Sequence, residues 1–527
     1  MGIYLNPGNS GFSLILNDEY IDKTGLIGLV NETINTPRML SCISRPRRFG
    51  KSFAAKMLCA YYDCSCDSHE LFDDKQISKT DGYLRHLNQY HVVNLDITGF
   101  ISEAKRHRES LVNIPDKIVS AVHEELKDLF PEIPAGRSLA ADMIYCAEKT
   151  GRKFVFVIDE WDALIREAKN QEEIQTTYLN LLREWFKNNN FTSRVVACAY
   201  MTGILPIKKD GSQSAISDFT EYTILNPGKF AEYTGFTEAE VRNLCEEHGL
   251  SFEDAKKWYD GYDFQKTGAI YNPYSVMQAI KMEAFGSYWK KTSAAESLMT
   301  YINMDFEGMQ EIISRLITGE QIEVDPESFE NDFETFRSRD DVLTLLIHLG
   351  YLTWNEEEGT VRIPNEEIRT EFEKIVKNRD VNQGWMKLLS CSKKLLEDTI
   401  AGKSTEVAEA IDAVRQTQYA PTFYNDEQEL RYVIKFAYIA AIHQYLKVEE
   451  LPSGKGIADV VYLPKKKSLL PALIVELKWD KTAGGALEQI KDREYPAVLK
   501  DYGGEIILVG INYDSRTKVH SCEIERI

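Results

Sequence analysis

"SRPRRFGKSF", residues 44–53, decides how this chain is read. Its Gly50-Lys51-Ser52 end has the form of a phosphate-binding loop, whose full pattern is G-x-x-x-x-G-K-[ST]. That pattern wants glycine at 45, and the chain has Arg45, with Arg47 and Arg48 close behind. The surroundings distinguish a nucleotide site from a basic turn, because a phosphate loop follows a buried strand and opens a helix. "MLSCIS" (39–44) is an apolar run suited to a central strand, and "SFAAKMLCAYY" (52–62) places Ala, Met and Leu at helical spacing. In that context backbone N–H groups and a helix N-terminus cradle a triphosphate. Lys51 reaches the β- and γ-phosphates, and the Ser52 hydroxyl holds Mg²⁺.

The second half of such a site is an acid at the end of another buried strand. "KFVFVIDEWD" (153–162) offers a continuous apolar run closed by Asp159 and Glu160. Continuous runs mark strands buried on both faces of a parallel sheet. Asp159 is expected to order Mg²⁺ through water, and Glu160 to polarise the attacking water. "HVVNLDI" (91–97) and "RVVACAYMTG" (194–203) read as further strands, with helical stretches between. The alternation predicts a doubly wound parallel α/β sheet. Thr202, near the end of the strand after the acidic one, is placed to sense the γ-phosphate.

The chain has 527 residues, enough for two to four domains. Its composition, 43% hydrophobic and 27% charged, is that of a globular protein. No window of about 18 apolar residues exists, and no secretion signal opens the chain, so neither a membrane partner nor export is expected. Nine scattered cysteines lack zinc-finger spacing and fit free thiols in a reducing cytoplasm. The net charge of −20 excludes a generic nucleic-acid coat, although Arg415 to the end holds 16 basic and 16 acidic residues and is neutral. The excess acid lies upstream, as in "GEQIEVDPESFENDFET" (319–335), which reads as a solvated face.

By now the motifs resemble those of bacterial AAA-ATPase-like proteins that carry a C-terminal PD-(D/E)XK nuclease-like domain. The R-P-R-R-F-G-K-S loop stands at 45–52, and "YIDKT" (20–24), "VIDEWD" (157–162), "GFTEAEV" (235–241), "WYDGYDF" (258–264), "YNPYSV" (271–276) and "LIHLGYLT" (346–353) follow in order. The resemblance implies a P-loop ATPase of the STAND and archaeal kind rather than a ring-forming unfoldase. It makes the missing glycine a family variant and gives Phe49, Gly50, Lys51, Ser52 and Phe53, with Asp159 and Thr202, to ATP; Arg47 and Arg48 either contact phosphate or act as sensors, since a guanidinium matches phosphate, or pair with the neighbouring acids. The middle reads as helical, with a helix and two short strands near 342–368 that resemble a winged helix or lid. The implied domains are 1–230 (ATPase), 231–410 (helical lid and winged-helix-like region) and 411–527 (restriction-endonuclease-like α/β).

The last hundred residues carry separate chemistry. In "GIADVVYLPKKKSLLPALIVELKW" (456–479), two strand-like runs, 457–463 and 472–479, flank a turn. If they pair around its centre, Asp459 and Glu476 are equidistant from it and face each other. Lys478, two residues on, shares the face of Glu476. Two carboxylates can hold Mg²⁺ or Mn²⁺, and a lysine can stabilise charge at a scissile phosphate. A charged cross-strand cluster without catalysis is the other reading. The resemblance favours catalysis and implies two helical additions: an upstream acid, Glu429, with Glu427 as its rival, and a downstream polar residue, Gln489. Tyr432 and Tyr495 stand near them, and Lys465 to Lys467 in the turn could meet phosphate.

The function expected is an ATP-binding, ATP-hydrolysing protein whose Mg²⁺-dependent nuclease domain cuts DNA or RNA. Defence or mobile-element control would follow from the domain pairing alone. The competing expectation is an ATP-dependent switch whose nuclease-like domain binds nucleic acid or a protein without cutting. The sequence allows a homo-oligomer and does not set the oligomeric state.

Overall fold

The structure is a computed structural model that describes residues 2–168, 171–207, 216, 218–264, 267–289, 309–327, 329, 338–377, 383–415, 430, 434, 437–438, 441, 444–453, 456–464, 470–492 and 504–527. Two compact units divide the chain: Met1–Ala294 with Glu323–Arg369, and Ala295–Ile322 with Thr370–Ile527. The region expected at 231–410 is thus shared between them.

The first unit is built on five strands: β1 (Leu40–Ser44), β2 (His91–Asp96), β3 (Phe154–Asp159), β4 (Val196–Gly203) and β5 (Thr220–Tyr222). Their order is β2-β3-β4-β1-β5, and every pairing is parallel. The continuous apolar run of β3 has a direct cause. Phe154, Phe156 and Ile158 enter one core, while Val155 and Val157 enter the core on the opposite face. A strand with two buried faces cannot alternate apolar with polar residues. Helices Ile97–His107, Ile114–Leu129, Leu139–Thr150 and Glu172–Phe186 cover the first face; Ser10–Leu16, Gly25–Asn31 and Lys51–Tyr62 cover the second. Each fully buried Val, Leu, Ile or Phe contributes about 1.5–3 kcal/mol. The doubly wound sheet is as expected. Strand β4 begins two residues later than the sequence suggested, because the helix Asn189–Val195 runs directly into it.

The order has a functional consequence. Strand β4 lies between β1 and β3, so Ser44, Thr202 and Asp159 line up along one carboxyl edge of the sheet. Ligands of such sheets bind in the crevice outside that edge.

The rest of this unit adds short elements. β6 (Phe236–Thr237), β7 (Tyr262–Asp263) and β8 (Ala269–Tyr271) form a small antiparallel sheet. The helix Glu238–Glu247 opens with a reciprocal capping box between Thr237 and Glu240, as its T-x-x-E sequence implies. After β9 (Ile322–Glu323), the helix Arg339–Leu349 starts on a Ser338–Asp341 box and stops at Gly350, whose φ of 83° suits glycine. β10 (Thr353–Asn355) and β11 (Thr360–Arg362) pair as a hairpin after it, the expected helix followed by two short strands.

The second unit carries a five-stranded sheet of β12 (Tyr445–Ser453), β13 (Gly456–Pro464), β14 (Ala472–Trp479), β15 (Ile506–Asp514) and β16 (Val519–Arg526), in chain order. Only β14 and β15 are parallel to each other. The helix Ala483–Asp492 lies between them in sequence and buries Leu487 and Ile490 against Val461, Ile474 and Leu508. Gly510 allows the close approach, since a Cβ there would stand 2.4 Å from the Ala483 carbonyl oxygen. Among the described residues, no helix is long and apolar enough to cross a membrane.

Candidate nucleotide and nuclease sites

The loop after β1 turns on two left-handed residues, Arg48 (φ 72°) and Gly50 (φ 83°), before the helix begins at Lys51. Glycine adopts such angles freely; an arginine there is held by its surroundings. The Arg48 guanidinium donates to the Tyr288 carbonyl at 2.8 Å and lies 4.2 Å from the centre of the Tyr274 ring. Phe49 is buried edge-on against Tyr262. Tyr262 in turn donates to the Gly350 carbonyl at 2.7 Å. A Cβ on Gly350 would meet Pro46 of the loop at 2.8 Å. The aromatic and glycine-containing stretches of the middle region therefore brace the loop.

Arg45, standing where the pattern wants glycine, turns into the fold. It is fully buried and donates to Thr234 Oγ1 (3.0 Å), the Ser44 carbonyl (3.0 Å) and the Tyr222 carbonyl (2.8 Å), and it stacks over Phe264. It ties β1 and β5 to the segment beyond them. Phe53 is half-exposed on the first turn of the helix.

Lys51 is 4% exposed, and its Nζ donates to the loop's own carbonyls, Arg45 at 3.0 Å and Pro46 at 2.9 Å. Burial lowers its pKa. Glu160 Oε1 stands 3.9 Å from it. Asp159 accepts hydrogen bonds from Ser52 and Thr202, and burial raises its pKa. These oxygen donors fit Mg²⁺ in kind. Glu160 has a positive φ of 52° and also receives Arg166 through Oε2. Burial would raise the Glu160 pKa, but Lys51, Arg166 and Arg47 together hold it below the ordinary carboxylate value. The structure thus gathers Lys51, Ser52, Asp159, Glu160 and Thr202 at one edge, with Arg47 nearby.

Arg166 escaped the sequence reading, and Asp162 stood in it only as the acid next in line to Glu160 within "VIDEWD". Asp162 is buried and accepts from Arg166 Nε (2.9 Å) and from the backbone N–H groups of Ile204 and Leu205 (3.1 and 3.0 Å). It anchors the chain leaving β4 and so has a clear structural task. Arg166 bridges Asp162 and Glu160. The Asp162–Arg166 spacing of four, on a helix just after the acidic strand, was the available signal.

In the second unit β13 and β14 pair with Val460 opposite Val475, Val461 opposite Ile474 and Tyr462 opposite Leu473. The same register sets Asp459 opposite Glu476, as the turn-centred pairing predicts. Asp459, Glu476 and Lys478 are all buried. Asp459 Oδ2 accepts from the Leu477 N–H at 2.9 Å, which fixes it across the ladder. Glu476 Oε1 accepts from Lys478 Nζ at 3.1 Å and from Gln489, delivered by the helix Ala483–Asp492. Glu476 Oε2 is buried with no hydrogen-bond partner among the described residues. An orphaned buried carboxylate oxygen is costly. Burial and the Asp459 charge push the Glu476 pKa up to about 7. Two facing carboxylates, one with an oxygen to spare, fit a divalent cation held by oxygen ligands. Glu429, Glu427, Tyr432, Tyr495 and Lys465 to Lys467 lie outside the described residues.

Comparison with known proteins agrees with both halves. Residues 8–212 match the family described as "Predicted AAA-ATPase", and residues 425–523 match the "PD-(D/E)XK nuclease superfamily". The chain therefore joins an AAA-ATPase-like domain to a domain of the PD-(D/E)XK nuclease superfamily. A relative from Azotobacter chroococcum mcd 1, described as "Uncharacterized protein in vnfD 5'region", is 21% identical over 95% of this chain and 94% of its own length. Among solved structures, the Aeropyrum pernix ORC2 protein in ADPNP-ADP complexes covers 69% of this chain and 98% of its own, at 10% identity and a TM-score of 0.33. The Aeropyrum pernix ORC1 protein in complex with DNA covers 95% and 100%, at 11% identity and a TM-score of 0.24.

Proposed function

We propose that the chain binds and hydrolyses ATP at the β1 loop and cuts nucleic acid, DNA or RNA, at the Asp459–Glu476 site with a divalent cation. One observation carries the nuclease half: Glu476 keeps a buried, unpaired oxygen opposite Asp459, with Lys478 and Gln489 already on its other oxygen. Mg²⁺ or Mn²⁺ bound there would supply positive charge to a phosphodiester oxygen. Asp459 and Glu476 would hold that ion. Lys478 would stabilise the charge that grows on the phosphate, and Gln489 would orient Glu476. The upstream acid Glu429 is proposed as a further ligand.

At the nucleotide site Lys51 would leave the two loop carbonyls for the β- and γ-phosphates, while Ser52 and Asp159 would hold Mg²⁺. Glu160 would align the attacking water. As the bond from water oxygen to the γ-phosphorus forms, the bridging bond to ADP breaks. The leaving ADP oxygen keeps the electron pair, and the water proton passes to Glu160. Thr202 would report the γ-phosphate through its bond to Asp159. Arg47, Arg48, Phe49, Gly50 and Phe53 complete the proposed ATP loop, Arg48 and Phe49 by bracing it. We place the protein in the cytoplasm, where nine unpaired cysteines are stable. Any role in defence or mobile-element control rests on the domain pairing.

Cleavage of single- and double-stranded DNA and RNA by the full chain, with Mg²⁺ or Mn²⁺ and with or without ATP, tests this. Cation-dependent cleavage that Asp459→Ala abolishes is expected. If no substrate is cut under any condition, the binding-only switch takes its place.

A further inference from the structure

Arg166 occupies a telling position. Its guanidinium reaches Glu160 Oε2 with one terminal nitrogen, while its Nε donates to Asp162 Oδ2 at 2.9 Å. Lys51 Nζ stands 3.9 Å from the other oxygen of the same Glu160 carboxylate. Two cations, the buried Lys51 and the partly buried Arg166, thus flank the residue read above as the one that aligns water. Lys51 is the phosphate lysine by its loop, and the second cation sits on the other oxygen of Glu160. Asp162 holds the Arg166 side chain from below through Nε and is itself fixed by the Ile204 and Leu205 amides. The terminal nitrogen that reaches Glu160 also lies 3.5 Å from Asp162 Oδ1, a longer contact than the Nε bond, so the terminal end is the less tightly held. A planar fork of this kind matches phosphate geometry.

We propose that Arg166 is a catalytic arginine supplied by the chain itself to the γ-phosphate of ATP: without nucleotide its terminal nitrogen is parked on Glu160, and with ATP bound it moves to the γ-phosphate and leaves Glu160 free to align water. The inference rests on the reading of Glu160 given above. Parking has a plain electrostatic logic. A Glu160 carboxylate with Arg166 on one oxygen and Lys51 beside the other has a cation at each oxygen, and those oxygens are released to water when the cations turn to phosphate. The negative charge that releases it is that of ATP, so the base is active only when substrate is present. Cleavage of the γ-phosphate spreads charge over its equatorial oxygens, which is where an arginine acts.

The test compares Arg166→Ala, Arg166→Lys and Glu160→Gln as full chains. It reads labelled-ATP affinity, single-turnover hydrolysis, thermal midpoint, and trapping of labelled ADP by aluminium fluoride with Mg²⁺. Catalytic arginines of this type are worth about 10³–10⁵ in kcat. The expected result is a fall of at least about 100-fold in hydrolysis for Arg166→Ala, with ATP affinity changed by less than about tenfold and loss of the aluminium fluoride complex. Arg166→Lys, which keeps the charge and loses the fork, should recover little of either. Faster hydrolysis in Arg166→Ala would make the residue only a brake and would overturn the proposal. So would wild-type hydrolysis in that variant. If Arg166→Ala does not fold, wild-type hydrolysis and wild-type trapping by Arg166→Lys would overturn it. Should Glu160→Gln hydrolyse at the wild-type rate, the reading of Glu160 itself fails, whatever Arg166 does.

Discussion

Lys51 and Glu476 are both buried ions, yet the protein satisfies only one of them. Lys51 has two loop carbonyls within 3.0 Å and Glu160 at 3.9 Å, so its charge is compensated before any ligand arrives. Among the described residues Glu476 has donors on one oxygen and none on the other. Burial lowers the lysine pKa and raises that of the glutamate, to about 7. The difference teaches how each site meets its ligand. ATP has to displace bonds the loop already makes, which suits a site that switches. A divalent cation meets a carboxylate oxygen that has no donor among the described residues, and below about pH 7 it has only a proton to displace.

The sharpest way to break this contrast is to remove the waiting carboxylate. Glu476→Ala should reduce cation-dependent cleavage to background while leaving ATP affinity unchanged, measured on the same preparation. Lys478→Ala should keep cation binding and still depress cleavage, because its charge acts on the scissile phosphate. On the other side, Lys51→Ala should weaken a labelled ATP analogue about 10- to 150-fold, the equivalent of one charge-assisted hydrogen bond of about 1.5–3 kcal/mol. Glu160→Gln should bind ATP normally and slow single-turnover hydrolysis roughly 100-fold.

Arg45→Met sharpens the comparison from a third direction. If Arg45 serves the fold and not the phosphate, the variant should lose at least about 2 kcal/mol, since buried carbonyls lose their donor. Denaturant unfolding reads that loss, and ATP affinity at low temperature should persist. The smallest effect is a pH dependence. The folded chain holds a proton on Glu476 between its ordinary value of 4.5 and about 7. Without a cation, stability therefore falls as pH rises across that window. A cation competes with the same proton, so Mn²⁺ affinity should rise about tenfold per unit up to about pH 7 and level off above it.

Much of this was legible in the sequence, and the reasons are specific. The β1 loop, the run Phe154–Asp159 and the Thr237–Glu240 box each carry a local rule that tertiary packing did not override. The Asp459–Glu476 pairing was legible because hairpin register follows from the turn centre, which put Val460 opposite Val475. What sequence could not supply was direction. Three arginines beside a phosphate loop look alike, yet Arg45 turns into the sheet edge, Arg48 turns to Tyr274 and Tyr288, and Arg47 stays near Glu160. Arg166 was missed for a related reason. Its bond to Asp162 is a local spacing of four, but its reach to Glu160 depends on how the chain turns after β3, where Glu160 takes a positive φ.

Titration of Mn²⁺ into the nucleotide-free full chain tests the central contrast most directly. The wild type should bind a cation at a site that Glu476→Ala and Asp459→Ala each remove, while Lys51→Ala leaves it intact. Binding that survives both carboxylate substitutions, or no binding by the wild type at all, would contradict the account.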